Sequence, residues 1–221
     1  AVQDFVRTRL MTAAISSERD KLITAFRAAK PTADGRFHVL DGSGSLPDTF
    51  VAAVAGRRYI STINSDIASG LGVILRAITA RHEDLLPADY MGIWLGARDL
   101  AVNLDAPSFG GGDRHVILIN PYVSYRDILK YLPPSKASNA DRADELGRGM
   151  IATIVHELAH QAAWDHDEDF AGFLTRFYGN ASGVSHFAAE TLSRSFRTMQ
   201  SGDGAAWKEF LDDFAEYESY S

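Results

Sequence analysis

The sequence predicts an α+β domain that is rich in helix and carries a small sheet beside one buried helix. Apolar residues recur at helical spacing through residues 4–30 and again through residues 150–163, which indicates helices with one buried face. Between them, His115–Pro121 is short and β-branched, follows three glycines and ends at a proline, as expected of a buried strand. We therefore expect both kinds of element to share one core.

The remaining elements follow from the same kinds of pattern. They are a strand over residues 37–40, a helix over residues 67–81 that begins after Asn64, Ser65 or Asp66, and a loop over residues 133–140. After this loop, Asp141 or Asp144 can cap the buried helix. The edge of the sheet near Val116–Ile119 is expected to be open, so that an extended peptide could pair with it.

The length of the chain favours one domain with two lobes. The 221 residues, of which 46% are hydrophobic, are enough for a packed core. We expect residues 1–110 to form a mainly helical N-terminal lobe and residues 111–221 to form the lobe that carries the functional site.

Composition excludes several kinds of function. With 22 basic and 29 acidic residues, the net charge of −7 argues against nucleic acid or an anionic membrane as the main partner. The chain has no cysteine, so disulfides, thiolate zinc sites and cysteine nucleophiles are excluded, and any metal ligand must be His, Asp or Glu. No apolar stretch is long enough to span a bilayer, and the N-terminus shows no signal-peptide pattern.

The predicted buried helix contains an HExxH motif, formed by His156, Glu157 and His160. At 3.6 residues per turn, the two histidines share one face of the helix and can bind one ion. Glu157 is then beside the ion, where its carboxylate can take a proton from a water activated by zinc. The motif therefore predicts a zinc hydrolase site with Glu157 as the general base.

A catalytic zinc usually has three protein ligands, so the motif requires one more. His166 lies ten residues after His156, at the third-histidine spacing of the pattern HExxHxxGxxH, although Ala163 stands where that pattern has glycine. Glu190, in a later helical segment, and the acidic run after the motif are the other candidates. The acidic candidates of this run are Asp165, Asp167, Glu168 and Asp169.

Four separated segments resemble the aspzincin metallopeptidases, the family that includes deuterolysin and the lysine-specific metalloendopeptidases. The segments are Val116–Pro121, Ala152–His160, Asp169–Ala171, and Asn180-Ala181 followed by Phe187-Ala188. The resemblance covers about residues 115–190 and implies a zincin-like fold, peptide hydrolysis and Asp169 as the third zinc ligand. Gly172 stands where the family has a tyrosine that stabilises the oxyanion, so Tyr178 or His186 is expected to donate that hydrogen bond.

Together these patterns predict a metalloendopeptidase that binds one zinc ion and hydrolyses protein or peptide substrates. The acidic, cysteine-free composition is also similar to that of modules carried by secreted toxins and effectors, so secretion or delivery to a target cell is expected. Two alternatives stay open. One is a non-catalytic zincin-fold module that captures a partner strand, and the other is a zinc amidase that acts on cell-wall peptide.

Overall fold

The computed structural model describes residues 39–40, 46–66, 88–95, 101–105, 115–160, 166–202 and 204–220. Helices make up most of this part of the chain. They are α1 (Asp48–Ala55), α2 (Arg58–Asp66), α3 (Pro121–Tyr131), α4 (Asn139–Ala159), α5 (Glu168–Ser201) and α6 (Ala205–Tyr220). The strands are β1 (Val39–Leu40), β2 (Ala88–Trp94), β3 (Ala101–Asp105) and β4 (His115–Ile119).

The predicted α+β fold class is wrong, because the described chain is dominated by helices that pack on one another. Helices α4 and α5 contain 21 and 34 residues, whereas the longest strand, β2, contains seven. Buried aromatic and aliphatic side chains of α2, α3, α5 and α6 join those of α4 in one core. The described chain therefore forms a helical domain with four short strands. The predicted zincin-like fold is wrong for the same reason as the fold class.

The four strands are hydrogen-bonded in the order β1-β2-β4-β3. Strand β2 is parallel to both β1 and β4, and β3 is antiparallel to β4. The strand predicted at His115–Pro121 corresponds to β4, except that Pro121 already begins α3. Because β4 has a partner strand on each side, the edge predicted near Val116–Ile119 is not open to a peptide.

Helix α4 begins after Ser138. The sequence predicted a start after Asp141 or Asp144, so this prediction is wrong. The Ser138 hydroxyl accepts a hydrogen bond from the Asp141 amide at 3.2 Å, and the Asp141 carboxylate accepts one from the Ser138 amide at 2.8 Å. This reciprocal capping box satisfies two backbone donors that would otherwise have no partner. The face of α4 that points into the core includes Leu146, Met150, Ile154 and Leu158.

Helices α4 and α5 approach each other closely at Gly147. A Cβ atom on this residue would lie 2.4 Å from the backbone nitrogen of Ser193, so the crossing requires glycine. The Ser193 hydroxyl donates a hydrogen bond to the Asp144 carbonyl at 2.8 Å, and Arg148 pairs with Glu190 at 2.6 Å. These contacts fix the relative positions of α4 and α5, the two helices that carry the candidate site.

The C-terminal helix α6 is joined to α2 and α3 through the buried Asp213. Its carboxylate accepts two hydrogen bonds from Arg57, both at 3.0 Å, and one from the Tyr59 hydroxyl at 2.8 Å. The Tyr59 hydroxyl also forms a short hydrogen bond with that of Tyr122. Burial raises the pKa of both tyrosines, so this network keeps its protons at neutral pH.

Several predictions fall on residues that the structure does not describe. The helices predicted over residues 4–30 and 67–81, the glycines 110–112, Ala163 and Asp165 lie outside the described residues. The strand predicted over residues 37–40 includes β1. In the part of the chain that is described, no helix combines the length and the apolar character needed to cross a bilayer.

Candidate metal centre

The C-terminal turn of α4 carries the two histidines of the motif. His156 and His160 lie one turn apart on the same face, with ring centroids 5.0 Å apart, and both side chains are half-buried. His160 is the residue at which the helix ends. The two rings therefore face the same point at the end of α4, as their spacing predicts.

His166 precedes α5 and brings a third imidazole to this point. Its Nε2 atom lies 3.0 Å from Nε2 of His156, and its ring centroid lies 4.8 Å from that of His160. Asp167 is the N-cap of α5 and accepts a hydrogen bond from the Phe170 amide at 3.0 Å, so the helix begins directly after His166. The His166 side chain is exposed, which leaves the site accessible from solvent.

The three imidazoles are close enough to hold one metal ion. One ring nitrogen from each of His156, His160 and His166 lies within 4.8 Å of the other two. A tetrahedral ion with bonds of about 2.0–2.1 Å requires nitrogens about 3.3 Å apart, which small side-chain rotations would supply here. Imidazole donors suit zinc as well as copper and nickel, so the donor set is compatible with any of these three ions.

The surroundings of His156 favour its neutral imidazole. Burial lowers the pKa of His156 below its ordinary value of 6.5, and the neighbouring His160 and His166 lower this pKa further. A histidine binds a metal through an unprotonated ring nitrogen, so His156 is able to act as a ligand at neutral pH.

Glu157 lies beside the histidines and not among them. Consecutive residues of a helix point about 100° apart, so its carboxylate leaves α4 to one side of the face that carries His156. The side chain is only 8% exposed. A buried carboxylate is restricted to few positions, and a general base needs a defined position next to the reacting water.

Phe170 closes one side of the site. Its side chain is 5% exposed, and its ring centroid lies 4.9 Å from that of His156, 4.8 Å from His160 and 4.7 Å from His166. Sequence reasoning assigned no role to this residue, although the pattern Asp167-x-x-Phe170 at a helix start is visible in the sequence. The pattern alone does not reveal that the aromatic ring meets the histidines of another helix.

The acidic candidates that the structure describes are not part of the cluster. Among the described residues, Asp169 and Glu168 are exposed in the first turn of α5, outside the group whose ligand atoms converge. Glu190 is engaged elsewhere, in an ion pair with Arg148. The structure groups His166, and not Asp169, with the two motif histidines, and Asp169 as third ligand stays a prediction from the resemblance.

The two predicted oxyanion donors lie farther along α5. Helical rise places Tyr178 about 15 Å and His186 about 27 Å along the helix from its first residue, Glu168. Tyr178 is 40% exposed and His186 is exposed as well. Neither residue belongs to the histidine cluster at the start of the helix, so the structure adds no support for the predicted hydrogen bond to the oxyanion.

Comparison of the chain with models of protein families, with curated proteins and with solved structures gives no match in any of the three. The resemblance to the aspzincins therefore stays a prediction from four segments of the sequence. The chemistry of the site has to be inferred from its own residues.

Proposed function

We propose that the chain is a zinc-dependent metalloendopeptidase, in which His156, His160 and His166 bind one ion and Glu157 is the general base. The observation that carries this proposal is the convergence of three imidazole nitrogens at the end of a helix, next to a buried glutamate. Three protein ligands are the usual number for a catalytic zinc, which keeps its fourth position for water or substrate. A purely structural zinc has no need of the adjacent carboxylate.

The reaction requires only water as co-reactant. Zinc, when bound, would supply Lewis-acid chemistry by lowering the pKa of water and polarising the scissile carbonyl. Glu157 accepts a proton from the water as its oxygen attacks the carbonyl carbon. The same carboxyl group then gives this proton to the amide nitrogen as the C–N bond breaks. The products are a carboxylic acid and an amine, so the atoms balance.

The shape of the fold weakens the main alternative, a non-catalytic module that captures a partner strand. That alternative depended on an open sheet edge at β4, and β4 pairs on both sides. The exposed side of His166, by contrast, gives a substrate access to the cluster. We propose a protein or peptide substrate, which is the class that the resemblance to the aspzincins implies.

Replacing Glu157 with glutamine tests this mechanism. Glu157→Gln keeps the size of the side chain and all three histidines but removes the base, so zinc binding should persist. Cleavage of a casein-type substrate should fall by at least about 100-fold, the lower end of the usual contribution of a general base. The matched control is Glu218→Gln, because this exposed glutamate of α6 pairs with Arg126 and is not part of the cluster.

Both outcomes of the experiment bear on the proposal. Glu218→Gln should retain zinc and most of the cleavage activity, which a chelator should abolish. Undiminished cleavage by Glu157→Gln would exclude Glu157 as the base. A wild-type chain that neither binds zinc nor cleaves any protein substrate would remove the proposed function altogether.

A further inference from the structure

We infer that Phe170 is a positioning residue of the metal site, because its buried ring forms a wall against which all three imidazoles pack. The inference rests on the metal site of the proposed function and adds to it a residue that offers no ligand atom. Its role would be to hold the histidines in place before the ion arrives.

The Phe170 ring lies at nearly the same distance from all three imidazoles. Its centroid lies 4.7–4.9 Å from those of His156, His160 and His166, with interplanar angles of 67°, 39° and 63°. Tilted and edge-to-face contacts at such distances are favourable for aromatic rings. One buried side chain therefore contacts every proposed ligand and restricts the orientation of all three.

The restriction matters most for His166. This histidine lies outside the regular helices and its side chain is exposed, so without a packing partner it would sample several rotamers. Ordering such a side chain during ion binding costs free energy, and this cost falls when the side chain is already held. The Phe170 ring also covers one side of the cluster, where it would keep water from a bound ion.

The backbone joins Phe170 and His166 in one structural unit. Asp167 caps α5 by accepting a hydrogen bond from the Phe170 amide at 3.0 Å, and His166 is the residue immediately before this cap. The first turn of α5 therefore sets the distance between the third ligand and the ring that supports it. A disturbance of either the ring or the cap should loosen His166.

Substitution of Phe170 in the full chain, followed by titration with zinc against a competing chelator, tests the inference. Phe170→Leu keeps an apolar side chain but removes the ring, and should weaken zinc binding by about 10- to 100-fold, as is typical when residues that support metal ligands are lost. Phe170→Tyr restores a ring and should bind zinc within about threefold of wild type. Cobalt should show the same order, with weaker visible absorption for the leucine variant.

The matched control is Phe196→Leu. Phe196 is fully buried on the same helix, about 39 Å along it from Phe170, and its ring packs against Trp207. This variant should lose stability as any truncated core aromatic does, yet keep the zinc affinity and cobalt spectrum of wild type. Unchanged zinc affinity in Phe170→Leu, or an equal loss in Phe196→Leu, would overturn the inference.

A second pair of variants leaves the core unchanged. It tests whether the start of α5 positions His166 for zinc binding, even if Phe170→Leu fails to fold. Asp167→Ala removes the cap of α5, whereas Asp167→Asn removes the same charge but keeps a side chain able to cap. Zinc binding should weaken by about threefold to tenfold in the alanine variant only. Equal affinities in the two variants would argue against the inference. Absence of zinc binding by the wild-type chain would instead refute the proposed function itself.

Discussion

Replacement of His166 with alanine removes the third imidazole and leaves the HExxH motif of α4 unchanged. The side chain is exposed and lies outside the helices, so the free energy of unfolding should change by no more than about 0.5 kcal/mol. Asp169→Ala is the matched control, because Asp169 is exposed three residues later and is the ligand that the resemblance to aspzincins implies. The two variants therefore separate the two assignments of the third ligand.

The expected loss follows from the number of ligands. Zinc sites with four protein ligands contribute about 10–16 kcal/mol, or roughly 2.5–4 kcal/mol per ligand. With about 1.4 kcal/mol for each factor of ten, loss of His166 from the cluster should weaken zinc binding by about 60- to 700-fold. Asp169 interacts only with the positive end of α5, so its loss should cost about 0.3–1 kcal/mol of helix stability and change zinc affinity by less than about threefold.

Competition with a fluorescent zinc chelator measures both affinities, and cleavage of a casein-type substrate at saturating zinc measures the activity. We expect His166→Ala to bind zinc more weakly and to lose cleavage activity. Asp169→Ala should retain the zinc affinity and the cleavage activity of wild type. The opposite result, in which His166→Ala binds zinc as wild type does and Asp169→Ala does not, would refute the assignment of ligands from this geometry. It would restore the ligand set implied by the resemblance.

Two further predictions concern pH and packing. Zinc affinity should fall as the pH is lowered from about 7.5 to about 5.5, by about tenfold per pH unit for each proton displaced, because protons compete for the imidazoles. The lowered pKa of His156 delays its protonation to more acidic pH, and an affinity independent of pH would contradict histidine ligation. Gly147→Ala should reduce the free energy of unfolding by at least about 1–3 kcal/mol, because its Cβ would lie 2.4 Å from the Ser193 backbone. Gly149→Ala, where no atom lies within 4 Å of the added Cβ, should instead stabilise the protein by up to about 1 kcal/mol, and chemical denaturation compares the two.

The features of α4 show how much of a helix can be predicted from local sequence. Its apolar residues recur every three or four positions, and the buried side chains follow that spacing from Leu146 to Leu158. The predicted start of the helix is wrong. The sequence predicts Asp141 or Asp144 as the cap, whereas Ser138 caps the helix and forms a capping box with Asp141. The signal for that box was present in the spacing of the two residues.

Helix α5 shows where local sequence is insufficient. Gly172, Gly179 and Gly183 lower its intrinsic helix propensity, and the sequence indicates a helix only in the later segment that contains Glu190. The helix nevertheless runs without interruption from Glu168 to Ser201, with phenylalanine side chains buried along it. Tertiary packing overrides weak propensity, which is why both the length of α5 and the helical fold class were missed.

Two histidines and the neighbouring glutamate of the candidate site can be predicted from the sequence, because their spacing on one helix is a local property. The third candidate ligand follows from how the helices pack. The cap at Asp167 starts α5 directly after His166, so His166 lies against His156 while Asp169 stays exposed on the first turn. His166 and Asp169 are only three positions apart, and the start and the packing of α5 decide which of them meets α4. The residues near the motif alone do not set where α5 begins or how it packs.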